Sequence, residues 1–388
     1  GYYLLKAWHM VNRASLNYAG CPILSRRGLS MQLGKKISNL EQLTYRYYRW
    51  IHALRISLAF LITYTVIRYF RLDGAVWILI TLLIVMGPQP YWGNVFSRAL
   101  QRTGGTVIGA LSGLIALFLE IYSFPAMLLW CAVVMFVAGY LTLGKHPYMA
   151  LLIGSTLAVV SCSPPNDMES ALLRSLYVLT GSVLAMLYSS IYPQRAYTDW
   201  RITFSQSLGK LKHLYETCFS QKTLERPQLE EQLKDELDTI LKLRNYIVPA
   251  SSESKLKPAV LHGLQTLHRN LLSTLTLMID AYWSSAQSHT LIEDEPVLRE
   301  VRQLIPQALQ SLQNTLCMGI GNNDISDQLR QTTRDLKDLA LQVANSKNVE
   351  TPFYAYVWLS LQMLQQLTEL NDQLHAALYR EHVAAHRS

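Results

Sequence analysis

Two arginines four residues apart, Arg98 and Arg102, run into Thr103-Gly104-Gly105-Thr106 and then into an uncharged apolar stretch. Guanidinium groups beside hydroxyls and closely approachable backbone can hold an anion, because planar N–H forks match carboxylates. A helix starting here would add free N–H groups and a partial positive charge to the same attraction. The spacing therefore predicts an anion-contacting group of Arg102, Thr103, Gly104, Gly105 and Thr106. Arg98 is a further candidate, although a positive flank of a membrane segment explains it as well. Gly105, Gly109 and Gly113 share one helix face, the pattern by which helices pack closely in lipid. Arg174 lies at the start of a later apolar segment and is a candidate for an outer gate or second site. Snorkelling of its charge to the membrane edge is the plainer alternative.

No other residue pattern carries recognisable chemistry. The chain lacks GxxxxGK[ST], GxGxxG, GxSxG and HExxH, so neither an ATP motor nor an enzyme is expected. His382 and His386 stand four apart without a third ligand, and they, His262 and His268 read as solvated. Five cysteines lie far apart with no CxxC, which predicts no zinc site, no disulfide framework and no cofactor.

Charge divides the chain. Residues 51–193 carry eleven charged side chains, whereas 194–388 carry twenty basic and twenty-two acidic ones. Six apolar segments stand out, near 51–70, 75–90, 104–121, 125–143, 147–162 and 171–192, with tryptophan and tyrosine at their edges. The expected fold is an all-α membrane protein, with six transmembrane helices followed by a cytoplasmic helical bundle. Its domains are a basic cytoplasmic segment over 1–50, a six-helix membrane domain over 51–193 and a helical domain over 194–388. Residues 1–30 read as an extension ahead of Met31. The basic residues of alternate loops put both termini in the cytoplasm. The net charge of +8 comes largely from the first fifty residues, and 194–388 is slightly acidic, so no nucleic-acid partner is expected.

The second half predicts five or six helices, broken near Arg226-Pro227, Pro249, Glu293–Pro296, Gly319–Asn323 and Thr351-Pro352. Leu229, Leu233, Leu237, Ile240 and Leu241 form one apolar stripe, and Met363, Leu367, Leu370, Leu374 and Leu378 another.

Residues 77–117 (WILITLLIVMGPQPYWGNVFSRALQRTGGTVIGALSGLIAL) and 172–195 (LLRSLYVLTGSVLAMLYSSIYPQR) resemble the fusaric acid resistance superfamily. Arg102, Gly105, Thr106 and Gly109 match its R-x-x-G-T-x-x-G core. Arg174, Gly181, Tyr192 and Pro193 match its second signature. The likeness runs over about 42–380 and is nearest to the short, single-half bacterial inner-membrane type. It implies export of small organic anions such as aromatic carboxylic acids, a homodimer that completes the two-half unit, and a membrane-fusion partner protein. It also implies close helix packing at Gly181. Three functions remain open from sequence: a secondary transporter that is not ATP-driven, a passive anion channel, and a membrane scaffold that recruits a cytoplasmic partner.

Overall fold

A computed structural model describes residues 30–32, 36–72, 74–87, 91–144, 146–161, 168–191, 195–219, 226–254, 256–346 and 350–386. Those residues form two compact units. Arg46–Arg195 make the apolar unit. The described residues up to Tyr45 and those from Ala196 onward make the polar unit.

After a short helix α1 (Asn39–Arg46), the apolar unit holds six helices: α2 (Tyr48–Phe70), α3 (Val76–Met86), α4 (Trp92–Tyr122), α5 (Phe124–Leu141), α6 (Pro147–Ser161) and α7 (Met168–Ser190). Three of them are long and apolar enough to cross a membrane: Tyr48–Phe70, Asn94–Tyr122 within α4, and Phe124–Leu141. α3 has 11 residues and rises about 16 Å, roughly half the ~30 Å hydrocarbon core. The most extensive packing is α4 on α6, followed by α3 on α7 and α4 on α7. α2 and α5 turn most of their apolar side chains outward, among them Leu54, Leu61, Leu129 and Phe136. A soluble core would hide such residues, whereas lipid accepts them.

The third apolar segment corrects an expectation. α4 begins at Trp92, not near 104, so Arg98 and Arg102 lie within a helix of 31 residues. The charges are tolerated there because neighbouring elements receive them, as described below. In mid-helix the amides of Gly104 and Gly105 bond to carbonyls four residues earlier, so no free helix N-terminus is available to an anion at this point.

The polar unit contains α8 (Ala196–Cys218), α9 (Glu230–Leu243), a 3-10 turn (Arg244–Tyr246), α10 (Ile247–Ser254), α11 (Pro258–Trp283), α12 (Ala286–Asp294), α13 (Pro296–Met318), α14 (Asn323–Asn345) and α15 (Thr351–His386). The helices outnumber the five or six expected. Pro249 falls in the first turn of α10, where a missing N–H does no harm, instead of breaking a helix. α11 packs along α15, and α13 along α8. Trp200, Phe204, Tyr215, Tyr282 and Tyr356 fill the core. The stripe of Met363, Leu367, Leu370, Leu374 and Leu378 is buried along α15. The stripe of α9 differs from expectation: Leu237 and Leu241 are exposed, while Glu236 is buried beside Ile240 and Leu243.

The fold is not helical throughout. β1 (Ser30–Gln32) pairs antiparallel with β2 (Ile320–Asn322), Met31 opposite Gly321. Gly319 makes this possible. Its φ of 67° ends α13 in the left-handed region, its N–H donating to Thr315 O. The Asn322 side chain then caps α14 through the amides of Asp324 and Ile325. Cys131 and Cys218 are free thiols. Cys317 is disulfide-bonded, which the wide cysteine spacing does not foretell.

Candidate functional site

Arg102 is the buried cation of the apolar unit, 8% exposed among the described residues there. Its Nη2 donates to Thr81 Oγ1 of α3 at 3.5 Å, the long limit of a hydrogen bond. Its Nε has no partner among the described residues. Thr81 is fully buried and Thr106, one turn along α4, nearly so. A buried guanidinium costs several kcal/mol of desolvation unless other groups satisfy it. One long bond to a neutral hydroxyl falls short of that.

Arg98 is differently placed. It is half-buried, its Nη1 donates to Ile84 O at 3.4 Å, and its guanidinium lies 5.0 Å from the centre of the Tyr148 ring. Ile84 belongs to the last turn of α3, whose carbonyls carry partial negative charge. His52 approaches Gly87 O at 3.0 Å at the same helix end, and its other ring nitrogen meets Arg55 Nη2 at 2.9 Å. Arg98 and His52 therefore satisfy the end of a short helix, and sequence reasoning missed His52, Arg55 and Thr81. Thr81 had a signal: it is the one polar side chain in VWILITLLIVM.

The glycines are packing positions. A Cβ on Gly105 would lie 2.8 Å from Met149 O and 2.7 Å from Leu152 Cβ; on Gly113 it would lie 2.6 Å from Val160 Cβ. Gly109 rests on Ile153 and Thr156, and Gly181 on Ile78 and Thr81. Gly105 thus has no room for a ligand on that face. Gly104 has an ordinary contact, 3.5 Å to Met149 Sδ, and Thr103 is half-buried. The structure brings Arg102 to Thr81, and Thr106 is buried one turn further along α4. Arg174 lies on α7, and its side chain, like Tyr192 and Pro193, falls outside the described residues.

The polar unit offers two other candidates. Ser207, Glu236 and His268 converge, all fully buried: Ser207 Oγ meets Glu236 Oε1, and His268 Nε2 at 3.0 Å. Burial pushes the Glu236 carboxyl above the usual range, with His268 opposing. His268 is therefore not solvated as its sequence context implied. The trio resembles a Ser-His-acid relay but lacks its order. Serine and glutamate both meet Nε2, and Nδ1 has no partner among the described residues, so nothing orients the ring as a base. The second candidate is an open cleft of about 760 Å³ between α8, α9 and α13. Its lysines are engaged: Lys210 with Asp235 at 2.6 Å, and Lys212 with Gln310 at 3.0 Å. No cluster of metal-ligating side chains occurs among the described residues.

With this geometry in hand, the comparisons are specific. The family model described as "Fusaric acid resistance protein family" matches residues 49–388. The chain is also 43% identical over 357 residues to the inner membrane protein YeeA of Escherichia coli (strain K12), covering 90% of this chain and 99% of that protein. The match extends through both units, and the chain belongs to the fusaric acid resistance protein family.

Proposed function

We propose that this chain is an inner-membrane secondary transporter that exports small organic anions, aromatic carboxylates foremost, without an ATP motor. The observation that carries the reading is Arg102, a guanidinium buried among apolar helices with one long hydrogen bond and an unpartnered Nε. A carboxylate supplies the missing acceptor, and its second oxygen is within the reach of hydroxyls such as Thr81. In a low-dielectric surrounding such a charge-assisted pair is short and strong. Arg98 steadies α3 beneath this site rather than binding the anion. The name of the Escherichia coli relative supports the inner membrane as its location.

In this reading all six helices of the apolar unit lie across the membrane, α3 and α6 as shorter central pieces, and both termini are cytoplasmic. The outward apolar faces of α2 and α5 meet lipid or a second copy, and a homodimer completes the two-half arrangement of larger relatives. A membrane-fusion partner would extend the export path.

The experiment is uptake of radiolabelled benzoate into inside-out proteoliposomes under an imposed proton gradient. Wild type accumulates benzoate, and Arg102→Ala, with normal insertion, does not. Benzoate flux that ignores the gradient would identify a passive channel built on the same site. Equal flux by wild type and Arg102→Ala would remove Arg102 from the mechanism.

A further inference from the structure

α9 has one face toward the core and a second, apolar face that the chain leaves open. Glu236, Ile240 and Leu243 turn inward and seat the helix on the polar unit. The outer face carries Leu233, Leu237 and Leu241, spaced four apart. Leu233 is half-buried, and the other two are 44% and 54% exposed. A row at i, i+4 and i+8 is the seam by which one helix packs on another.

The charges on this face are ordered. Glu230 stands seven residues before Leu237, and Arg244 seven after it. Seven residues make about two turns, so the three share one line along the helix. The backbone stays right-handed helical through Arg244, which caps α9. Both charged side chains are exposed, and neither makes an ion pair among the described residues. The line thus runs from acid to base over about 21 Å, with a leucine at its centre.

Such a line is complementary to itself when reversed. Laid antiparallel on a copy with the two Leu237 side chains at the centre, Leu233 meets Leu241 of the second copy and Glu230 meets its Arg244. A two-fold axis repeats every contact, as an isologous interface requires. Lys234 and Asp238 are exposed beside the row, and the same reversal brings Lys234 within a turn of the second copy's Asp238. A parallel pair would instead set Glu230 against Glu230 and Arg244 against Arg244, which like-charge repulsion disfavours.

We propose that this face of α9 is a contact between two copies of the chain, an antiparallel α9 pair centred on Leu237 and closed at each end by Glu230 and Arg244. The self-complementary charges select a second copy over an unrelated apolar helix. Six leucines make a small seam beside the roughly 1,200 Å² of a stable interface between free proteins. Two copies in one membrane have a high effective concentration, so a short seam suffices to set their register. The inference rests on the homodimer of the reading above, for which it names a surface on the polar unit, and not on anion binding.

The test is oxidative cross-linking of the full chain in membranes, with its native cysteines replaced. Leu237→Cys should give a disulfide-linked dimer, whereas Lys242→Cys, on the side of α9 away from the seam, should not. Glu230→Arg or Arg244→Glu sets like charges together and should reduce the cross-link at position 237 several-fold. The double reversal should restore it, which a merely misfolded variant would not do. Equal cross-linking at 237 and 242, or cross-linking at 237 that ignores both reversals, overturns the antiparallel register. A dimer by size in mild detergent with no cross-link at 237 overturns the seam and leaves a homodimer held elsewhere. A monomer throughout overturns seam and homodimer together, and benzoate transport by that monomer would keep the anion reading.

Discussion

Two arginines, one in each unit, are equally buried at 8% exposure, yet they are held in opposite ways. Arg302 of the polar unit donates to Ile292 O at 2.8 Å and pairs with Glu293 Oε2 at 3.3 Å. Glu293 is fixed in turn by Tyr282, whose hydroxyl donates to Oε1 at 2.6 Å. Arg102 of the apolar unit has the 3.5 Å bond to Thr81 and an unpartnered Nε. Arg201 falls between: Nε donates to Leu316 O at 2.9 Å, and Nη2 has no partner among the described residues. Burial is thus a poor guide to role. What separates the two arginines is how far the protein itself completes their hydrogen bonds.

The contrast breaks most visibly at Arg302. Arg302→Ala leaves the part-buried Glu293 without its cation, and loss of one partner of a fully buried pair costs about 3–5 kcal/mol. Thermal unfolding of the polar unit should fall accordingly, whereas Arg102→Ala should leave ligand-free stability unchanged or raised, because it removes an incompletely paired charge. If the two variants melted alike, the distinction would be wrong.

Next in size are the helix crossings of the apolar unit. Gly109→Leu and Gly181→Leu each drive a side chain into backbone and a threonine within 3 Å. Overpacking of this kind costs about 1–3 kcal/mol and sometimes more. Both should lower the yield of folded protein in detergent by similar amounts, read by size-exclusion chromatography. A strong effect at one glycine and none at the other would argue against equivalent crossings.

The smallest effect belongs to Glu236. Its folded pKa is raised by burial, so the folded state holds the proton more tightly than the unfolded chain does. The stability this contributes is full below the ordinary glutamate value and is lost as pH rises through the raised one. Glu236→Gln should flatten the decline of polar-unit melting temperature over that window. An unchanged pH profile would show that Glu236 does not titrate there.

Legibility from sequence follows the range of the forces involved. The apolar runs and the Met363-to-Leu378 stripe are local patterns, and the helices form where those patterns lie. The start of α4 was hidden because Arg98 and Arg102 look like loop residues. Only the carbonyl of Ile84, the Tyr148 ring and Thr81, supplied by other helices, make them acceptable within one. The β1–β2 ladder joins residues nearly three hundred positions apart. His268, Glu236 and Ser207 likewise meet only in three dimensions, and Glu236 occupies a core position that the leucine pattern assigned to Leu237. In the site, the arginine and the glycines are visible in the sequence, whereas Thr81 is marked only as the one polar residue of its apolar run and its pairing with Arg102 needs the fold.

The most direct test of the central claim is thermal stability of the purified protein with benzoate or succinate, wild type beside Arg102→Ala. A ligand at a hundred times its Kd stabilises the folded state by about 2.7 kcal/mol. Wild-type melting temperature should rise with benzoate concentration, and that of the variant should not. An equal rise in both would place the carboxylate elsewhere, and Arg102 would then be a structural residue like Arg302.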